Sequence, residues 1–159
     1  EPLLEGYNKK IKLIDLVEKP KWYGEDFYHE ATDTLRPDLI TISKYGEQDC
    51  FIIFDAKYYL IQLERDCALK GNPGVGDIVK QYMYQLAYKK FLADHHITIV
   101  KNCFLMPTEG KEIINKGRVK LDMLSDLGLE DIQIFLIPTD MLFNYYLSSK
   151  KIDIELLNL

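Results

Sequence analysis

The fold that we predict for this chain depends mainly on RPDLITISKYGEQDCFIIFDAK, residues 36–57. After Pro37, residues alternate between two faces, which is the pattern of a β-strand that has a proline at its entry. A polar turn around Gly46 follows, and CFIIFDAKYYLI, residues 50–61, predicts a second strand rich in Ile, Phe and Tyr. We therefore expect these two strands to form a β-hairpin.

Helical and strand patterns alternate in the rest of the chain. The clearest helix is predicted over residues 77–92, which contain no Gly or Pro and follow a GNPGVG loop. A third strand is predicted over 97–106, ending before Pro107. IQIFLIP, residues 132–138, predicts another strand, and 139–147 predicts a final helix. The fold class is α/β, with a mixed central β-sheet flanked by helices.

Three other segments are less periodic. Residues 13–17 predict a short helix or strand before Pro20, 20–34 predict a loop, and 112–124 are ambiguous, with a strand expected around Val119 and Leu121. On the long helix, the spacing places one polar and aromatic set on a single face: Asp77, Gln81, Tyr84 and Tyr88. We expect a second, more apolar side to pack on the sheet: Val79, Met83, Leu86 and Lys90.

Size and composition limit the function classes. The 159 residues suit one domain, and no apolar run is long enough to span a membrane. Three cysteines without a CxxC pair favour a reducing cytoplasm. The net charge of −5 argues against a freestanding DNA-binding module. Because the chain opens at Glu1 without a Met, we expect residues 1–159 to be a single catalytic domain from a longer protein.

Two carboxylates and an ammonium group are predicted to converge at one end of the hairpin. Asp38 and Asp55 lie in adjacent strands, and Asp55 and Lys57, two positions apart, project from the same face. Carboxylates bind Mg²⁺ together with waters and a substrate phosphate, and the metal activates a bound water. Lys57 can orient or help deprotonate that water, and the Ala56 carbonyl is a further candidate ligand. The same residues could instead be ordinary charges at strand ends.

In this order, RPDLI, FIIFDAKYY and GDIVKQYMYQLAY resemble the PD-(D/E)XK restriction endonucleases, and more narrowly the LlaJI family, with the McrC-like nucleases as relatives. The resemblance covers roughly residues 20–147. It implies metal ligands at Asp38 and Asp55, a catalytic lysine at Lys57 and a supporting residue at Gln81. The QxxxY motif of RecB-type relatives is not matched, and no upstream acidic residue can be assigned.

The resemblance implies a type II restriction endonuclease domain that hydrolyses DNA phosphodiester bonds with Mg²⁺, or with Mn²⁺ in its place. Double-stranded DNA, a second copy or another nuclease subunit, and a cognate methyltransferase are the partners we expect. Sequence recognition is expected in a separate region. The alternatives are a catalytically silent scaffold of the same fold or a DNA-binding assembly module, or a nuclease that acts on RNA or on repair intermediates. Five lysines near the start could contact DNA or simply be solvated: Lys9, Lys10, Lys12, Lys19 and Lys21.

Overall fold

The computed structural model describes residues 12–150 and 153–159. The described strands are β1 (Lys21–Tyr23), β2 (Tyr28–Glu30), β3 (Leu39–Tyr45), β4 (Gln48–Ala56), β5 (Ile99–Thr108), β6 (Ile114–Val119) and β7 (Ile132–Pro138). The described α-helices are α1 (Val75–Ala87), α2 (Lys89–Asp94), α3 (Asp122–Ser125) and α4 (Thr139–Leu147). Two short 3₁₀ helices lie at Leu13–Leu16 and Ile154–Leu157.

Five of the strands form one mixed sheet in the order β3-β4-β5-β7-β6. The outer pairs, β3 with β4 and β6 with β7, are antiparallel, whereas β4, β5 and β7 run parallel. Parallel neighbours need a crossover connection, and α1 and α2 supply it between β4 and β5. The predicted hairpin and the mixed α/β class are therefore confirmed.

Strand β4 lies at the centre of the hydrophobic core. Phe51 and Ile53 pack on the side where Tyr84 and Tyr88 of the crossover helices lie. The alternate residues of β4 pack on the opposite side of the sheet, where they form a cluster with residues of β5, β7 and the C-terminal segment: Cys50, Ile52, Phe54, Cys103, Phe135, Ile137 and Leu157. Side chains alternate between the two faces of a strand. Asp55 and Lys57 are therefore on the same face as Phe51 and Ile53, and they project toward α1.

Two predicted strand ends are wrong. Strand β4 ends at Ala56 and not at residue 61, so Tyr58 lies outside the sheet and is 91% exposed. Strand β5 does not stop before Pro107 but runs through it to Thr108. The Leu105 carbonyl accepts the Lys57 N–H, and Pro107, two residues on, faces that same side after β4 has ended. A proline without an N–H is tolerated there.

The long helix differs from the prediction in its bounds and in its buried face. It begins at Val75 and is interrupted at Tyr88, which separates α1 from α2. The expected apolar side is only partly covered, and Leu86 is 39% exposed. The buried side chains of α1 are Gln81, Tyr82, Tyr84 and Gln85. These polar and aromatic side chains can face the sheet because hydrogen bonds satisfy most of their polar atoms there, as with Gln85 and Glu130.

The remaining predictions fall on the edges of the fold. Residues 20–34 are not simply a loop, because β1 and β2 pair in a small exposed hairpin. The expected strand near Val119 is β6, and the final helix is confirmed as α4. Lys9 and Lys10 lie outside the described residues. Within the described part of the chain, no helix combines the length and the apolar character that a membrane span requires.

Candidate active site

The β3–β4 hairpin brings Asp38 and Asp55 together. Leu39 pairs with Phe54 at the end of the ladder, and Asp38 and Asp55 are the next residues beyond that pair. The Asp38 Oδ2 accepts a hydrogen bond from the Ala56 N–H at 2.8 Å. This contact fixes the exposed Asp38 side chain against β4, so the proximity predicted for the two carboxylates is confirmed.

The Asp55 carboxylate is buried and lies beside a cation. The residue is 3% exposed, and its Oδ2 lies 2.5 Å from the Lys57 Nζ. Burial raises the pKa of Asp55; the hydrogen bond and charge of Lys57 oppose that rise, and the nearby Asp38 charge adds to it. The pKa of Asp55 therefore lies above the ordinary value for an aspartate, and ionisation of this carboxyl lowers the stability of the folded state.

Lys57 makes a second ion pair, with Asp77 in the first turn of α1. The Lys57 Nζ lies 3.0 Å from Asp77 Oδ1 and 5.8 Å from the centre of the Phe104 ring. Burial alone lowers the pKa of Lys57, but the hydrogen bonds and charges of Asp55 and Asp77 outweigh it and raise the pKa. The side chain is therefore a protonated ammonium held between two carboxylates.

Asp77 is a site residue whose contact the sequence analysis missed. Its described side-chain hydrogen bond is with Lys57 and not with a free N–H group at the start of the helix. A weak signal existed, because Asp77 shares a predicted helix face with Gln81. That spacing does not show which strand the face will meet.

The buried tyrosine Tyr84 supports the Asp38 end of the site. Its hydroxyl donates to the Arg36 carbonyl at 2.7 Å, two residues before Asp38. Burial, followed by the charges of Asp55 and Asp38, raises the pKa of Tyr84. The hydroxyl is neutral at ordinary pH and can hold the chain at the entry to β3.

Gln81 is buried near the sheet, and its described partners are not the carboxylates. Its Nε2 donates to Asn102 Oδ1 at 2.6 Å and to the Cys103 carbonyl at 3.4 Å. Its Oε1 has no hydrogen-bond partner among the described residues. The side chain thus joins α1 to β5, and its role in supporting the chemistry stays a prediction.

The donor set fits one hard divalent cation. Mg²⁺ commonly binds through one or two carboxylates and keeps several waters, and Asp38 and Asp55 supply two carboxylates on one face. Ala56, whose carbonyl is the third candidate ligand, is exposed at the end of β4. Within residues 12–150 and 153–159, no group of three or more His, Cys, Asp or Glu side chains is arranged around a metal position. The fit therefore rests on two carboxylates, with waters and substrate oxygens completing the shell.

Comparisons with known proteins agree with the resemblance seen in the sequence. The family model described as LlaJI restriction endonuclease matches residues 7–148. A curated protein of Bacillus subtilis (strain 168), "Type II restriction enzyme BsuMI component YdjA", is 31% identical over 143 residues, which are 87% of this chain and 29% of that protein. This chain thus corresponds to less than a third of the relative's length. No solved structure gives a significant match. Because the family model covers most of the sequence, including both strands of the hairpin and α1, the chain belongs to the LlaJI restriction endonuclease family.

Proposed function

We propose that this chain is the DNA-cleavage part of a type II restriction endonuclease and has the PD-(D/E)XK fold. The observation that carries the proposal is the convergence of Asp38, Asp55 and Lys57 at one end of the β3–β4 hairpin. A mixed sheet with a helical crossover behind that hairpin supports the fold assignment. Membership of the LlaJI family supports the restriction role.

Asp38, Asp55 and the Ala56 carbonyl would hold Mg²⁺, or Mn²⁺ in its place. When bound, the metal would stabilise charge at the phosphate and lower the pKa of a bound water. The protein contributes the fixed position of Asp38, through the Ala56 N–H, and the buried position of Asp55. Burial makes the interaction of Asp55 with a cation stronger than it would be in water.

Lys57 would act as an ammonium that neutralises charge developing on the phosphate. Its ion pairs with Asp55 and Asp77 keep it protonated, so an electrostatic role suits this arrangement better than removal of a proton from water. Gln81 would support the site indirectly, because it holds α1 on β5 through Asn102.

Double-stranded DNA is the proposed substrate, and recognition of its sequence would require a separate region or partner. The acidic balance of the chain supports this division. Cutting both strands requires two sites, from a second copy or another nuclease subunit. The relative in Bacillus subtilis is named as one component of a restriction enzyme, which supports action within a larger system that includes a methyltransferase. The cytoplasm is the proposed location.

A catalytically silent scaffold is the second candidate. The observation that favours it is the donor set, since the described residues hold no group of three metal-binding side chains. The intact Asp38, Asp55 and Lys57 favour the enzyme instead, because a scaffold has no chemical need for all three.

Plasmid cleavage by the full-length protein tests the proposal. With Mg²⁺ present, Asp55→Asn and Lys57→Ala are expected to reduce the cleavage rate by at least about a hundredfold. Asp55→Asn removes the charge of a proposed metal ligand, and Lys57→Ala removes the ammonium that neutralises the phosphate. The matched controls are Asp140→Asn and Lys111→Ala, at two exposed residues that lie outside the hairpin. Cleavage that survives both Asp55→Asn and Lys57→Ala would contradict the assignment.

Metal-linked stabilisation separates the enzyme from the scaffold. A cation that binds the folded site raises the unfolding temperature by mass action. We expect Mg²⁺ to raise the unfolding temperature of the wild type and of Asp140→Asn, and to leave that of Asp55→Asn unchanged. A wild type that neither cleaves DNA nor responds to Mg²⁺ would favour the scaffold.

A further inference from the structure

A cleft of about 620 Å³ opens beside Asp38, and neither Lys57 nor Asp77 of the candidate site lines it. Its lining comes from the 3₁₀ helix at Leu13–Leu16, the segment leading into β3, and Tyr88. The lining includes Asp38 itself, so the cleft and the site that we propose for the metal share one carboxylate.

The cleft combines an apolar floor with a charged rim. Four lining residues are buried: Leu13, Val17, Ile40 and Tyr88. The exposed rim carries three cations, Lys12, Lys19 and Arg36, and two anions, Asp15 and Asp38. A ligand that has a flat apolar ring and a phosphate group matches this arrangement, because the ring can pack on the apolar floor while the cations bind the phosphate.

The Tyr88 hydroxyl is a second and independent indication of a ligand. Tyr88 is 0% exposed, and its ring packs on Phe51 with the ring centres 5.3 Å apart. The hydroxyl nevertheless has no hydrogen-bond partner among the described residues. Buried polar groups in native proteins are nearly always paired, so a lining residue with an unpaired hydroxyl indicates a polar group that binds there.

We propose that the cleft beside Asp38 binds one nucleotide of the substrate DNA strand, adjacent to the phosphodiester bond that is cleaved. The base lies over the apolar floor, and the floor opens slightly so that a base atom accepts a hydrogen bond from the Tyr88 hydroxyl, which is buried from solvent in the unliganded chain. Its phosphate lies against Lys12, Lys19 and Arg36. This inference rests on the proposed nuclease function, because it assigns the cleft to the same substrate. Burial, followed by the nearby Tyr84, raises the pKa of Tyr88 to about 12, so the hydroxyl keeps its proton at neutral pH.

Nucleotide binding to the full-length protein tests the inference directly. The probes are the four deoxynucleoside 5′-monophosphates, with thymidine and inorganic phosphate for comparison, and binding is measured by saturation-transfer NMR. We expect Tyr88→Phe to weaken binding of at least one monophosphate by about 3- to 10-fold, the value of one hydrogen bond. Tyr146→Phe removes an exposed hydroxyl on α4 and is expected to bind as the wild type does.

A second variant tests the phosphate end of the cleft. Lys19→Gln is expected to weaken binding of the monophosphates and to leave thymidine binding unchanged, whereas Lys111→Gln changes neither. The inference is overturned if the wild type binds no monophosphate, or if Tyr88→Phe binds like Tyr146→Phe. It is also overturned if inorganic phosphate alone displaces every monophosphate with equal ease, since the base would then contribute nothing.

The outcomes distinguish this inference from the proposed function. Asp55→Asn is expected to abolish cleavage and to keep monophosphate binding, because Asp55 does not line the cleft. Loss of cleavage in Asp55→Asn together with no effect of Tyr88→Phe would leave the nuclease standing and remove the nucleotide site. Cleavage that survives Asp55→Asn would contradict the proposed nuclease centre. The binding data would still decide whether the cleft binds a nucleotide.

Discussion

The ammonium group of Lys57 lies 3.0 Å from the carboxylate of Asp77, although 20 positions separate the two residues. Lys57 directly follows the end of β4, and Asp77 lies in the first turn of α1. The pair therefore joins the end of the central strand to the start of the crossover helix. It also holds the ammonium near Asp55, where a phosphate is proposed to react.

Asp77→Asn should reduce DNA cleavage without unfolding the protein. The amide still accepts a hydrogen bond but no longer attracts the ammonium, so Lys57 is held less well. Because Asp77 is partly exposed, we expect a loss of about tenfold in kcat, smaller than that of Lys57→Ala. Single-turnover cleavage with Mg²⁺ measures it.

Asp122→Asn is the control for that experiment, because Asp122 lies in the first turn of another helix, α3. A positioning role further predicts that Asp77→Glu restores part of the activity, since it returns the charge. Equal cleavage by the wild type and Asp77→Asn would show that the ion pair does not matter for the reaction.

Asp55→Asn should be at least as stable as the wild type in the absence of divalent metal. Burial, partly opposed by Lys57, raises the pKa of Asp55, so the folded state is disfavoured once this carboxyl ionises. The contribution of the Asp55 carboxyl to the stability of the wild type is complete below the ordinary carboxyl pKa. It is lost as the pH rises through the raised pKa of the folded state. Urea unfolding at several pH values between acid and neutral measures this difference.

The advantage of Asp55→Asn in free energy of unfolding should therefore grow as the pH rises. Asp140→Asn, at an exposed position on α4, should show no such trend. A wild type that becomes more stable than Asp55→Asn toward neutral pH would mean that the pair with Lys57 outweighs burial.

Gln81 and Asn102 should be energetically coupled. The Gln81 amide donates to Asn102 Oδ1 at 2.6 Å, and both residues are buried. Gln81→Met leaves the Asn102 oxygen without this donor, and we expect a loss of about 1–3 kcal/mol in the free energy of unfolding. The double variant with Asn102→Leu should lose less than the sum of the two single variants, as urea unfolding can measure.

Strict additivity of those two substitutions would mean that the hydrogen bond contributes nothing. A matched comparison is Asn115→Leu, which removes two exposed hydrogen bonds, one donated to Gln133 and one accepted from the Gly117 N–H. Its cost should be well under 1 kcal/mol, because water replaces the lost partners.

The fold should lose stability between about pH 9 and pH 12. Burial raises the pKa of the Cys103 thiol from 9.0 to about 12, and burial and Tyr84 raise that of Tyr88 from 10.0 to about 12. Both groups lose their protons more easily in the unfolded chain. Their contribution is complete below the unfolded pKa and disappears as pH rises through the folded one.

Cys103→Ala should make this alkaline decrease less steep, by up to about 1.4 kcal/mol per pH unit for one proton. Cys67 is exposed, so Cys67→Ala should keep the wild-type slope. Identical slopes in all three proteins, measured by urea unfolding with thiols kept reduced, would contradict the burial of Cys103.

Local sequence patterns were sufficient for the centre of the fold and for two of its acids. The alternation after Pro37, the polar turn and the apolar run before Asp55 predict a hairpin, because strand period and turn chemistry act over few residues. Once the hairpin exists, its register places Asp38 and Asp55 next to the terminal Leu39–Phe54 pair, and the strand period directs Lys57 to the same face as Asp55. The family resemblance depends on these same residues.

Packing between distant segments determines which face of α1 is buried and which residue Asp77 contacts. Apolar spacing favoured Val79, Met83 and Leu86, whereas the sheet covers Gln81, Tyr84 and other polar side chains. The polar side chains are stable there because distant groups pair with them, such as Asn102 on β5 and the Arg36 carbonyl. Partners so far apart in the sequence meet only when strands and helices pack, and no local period encodes that meeting.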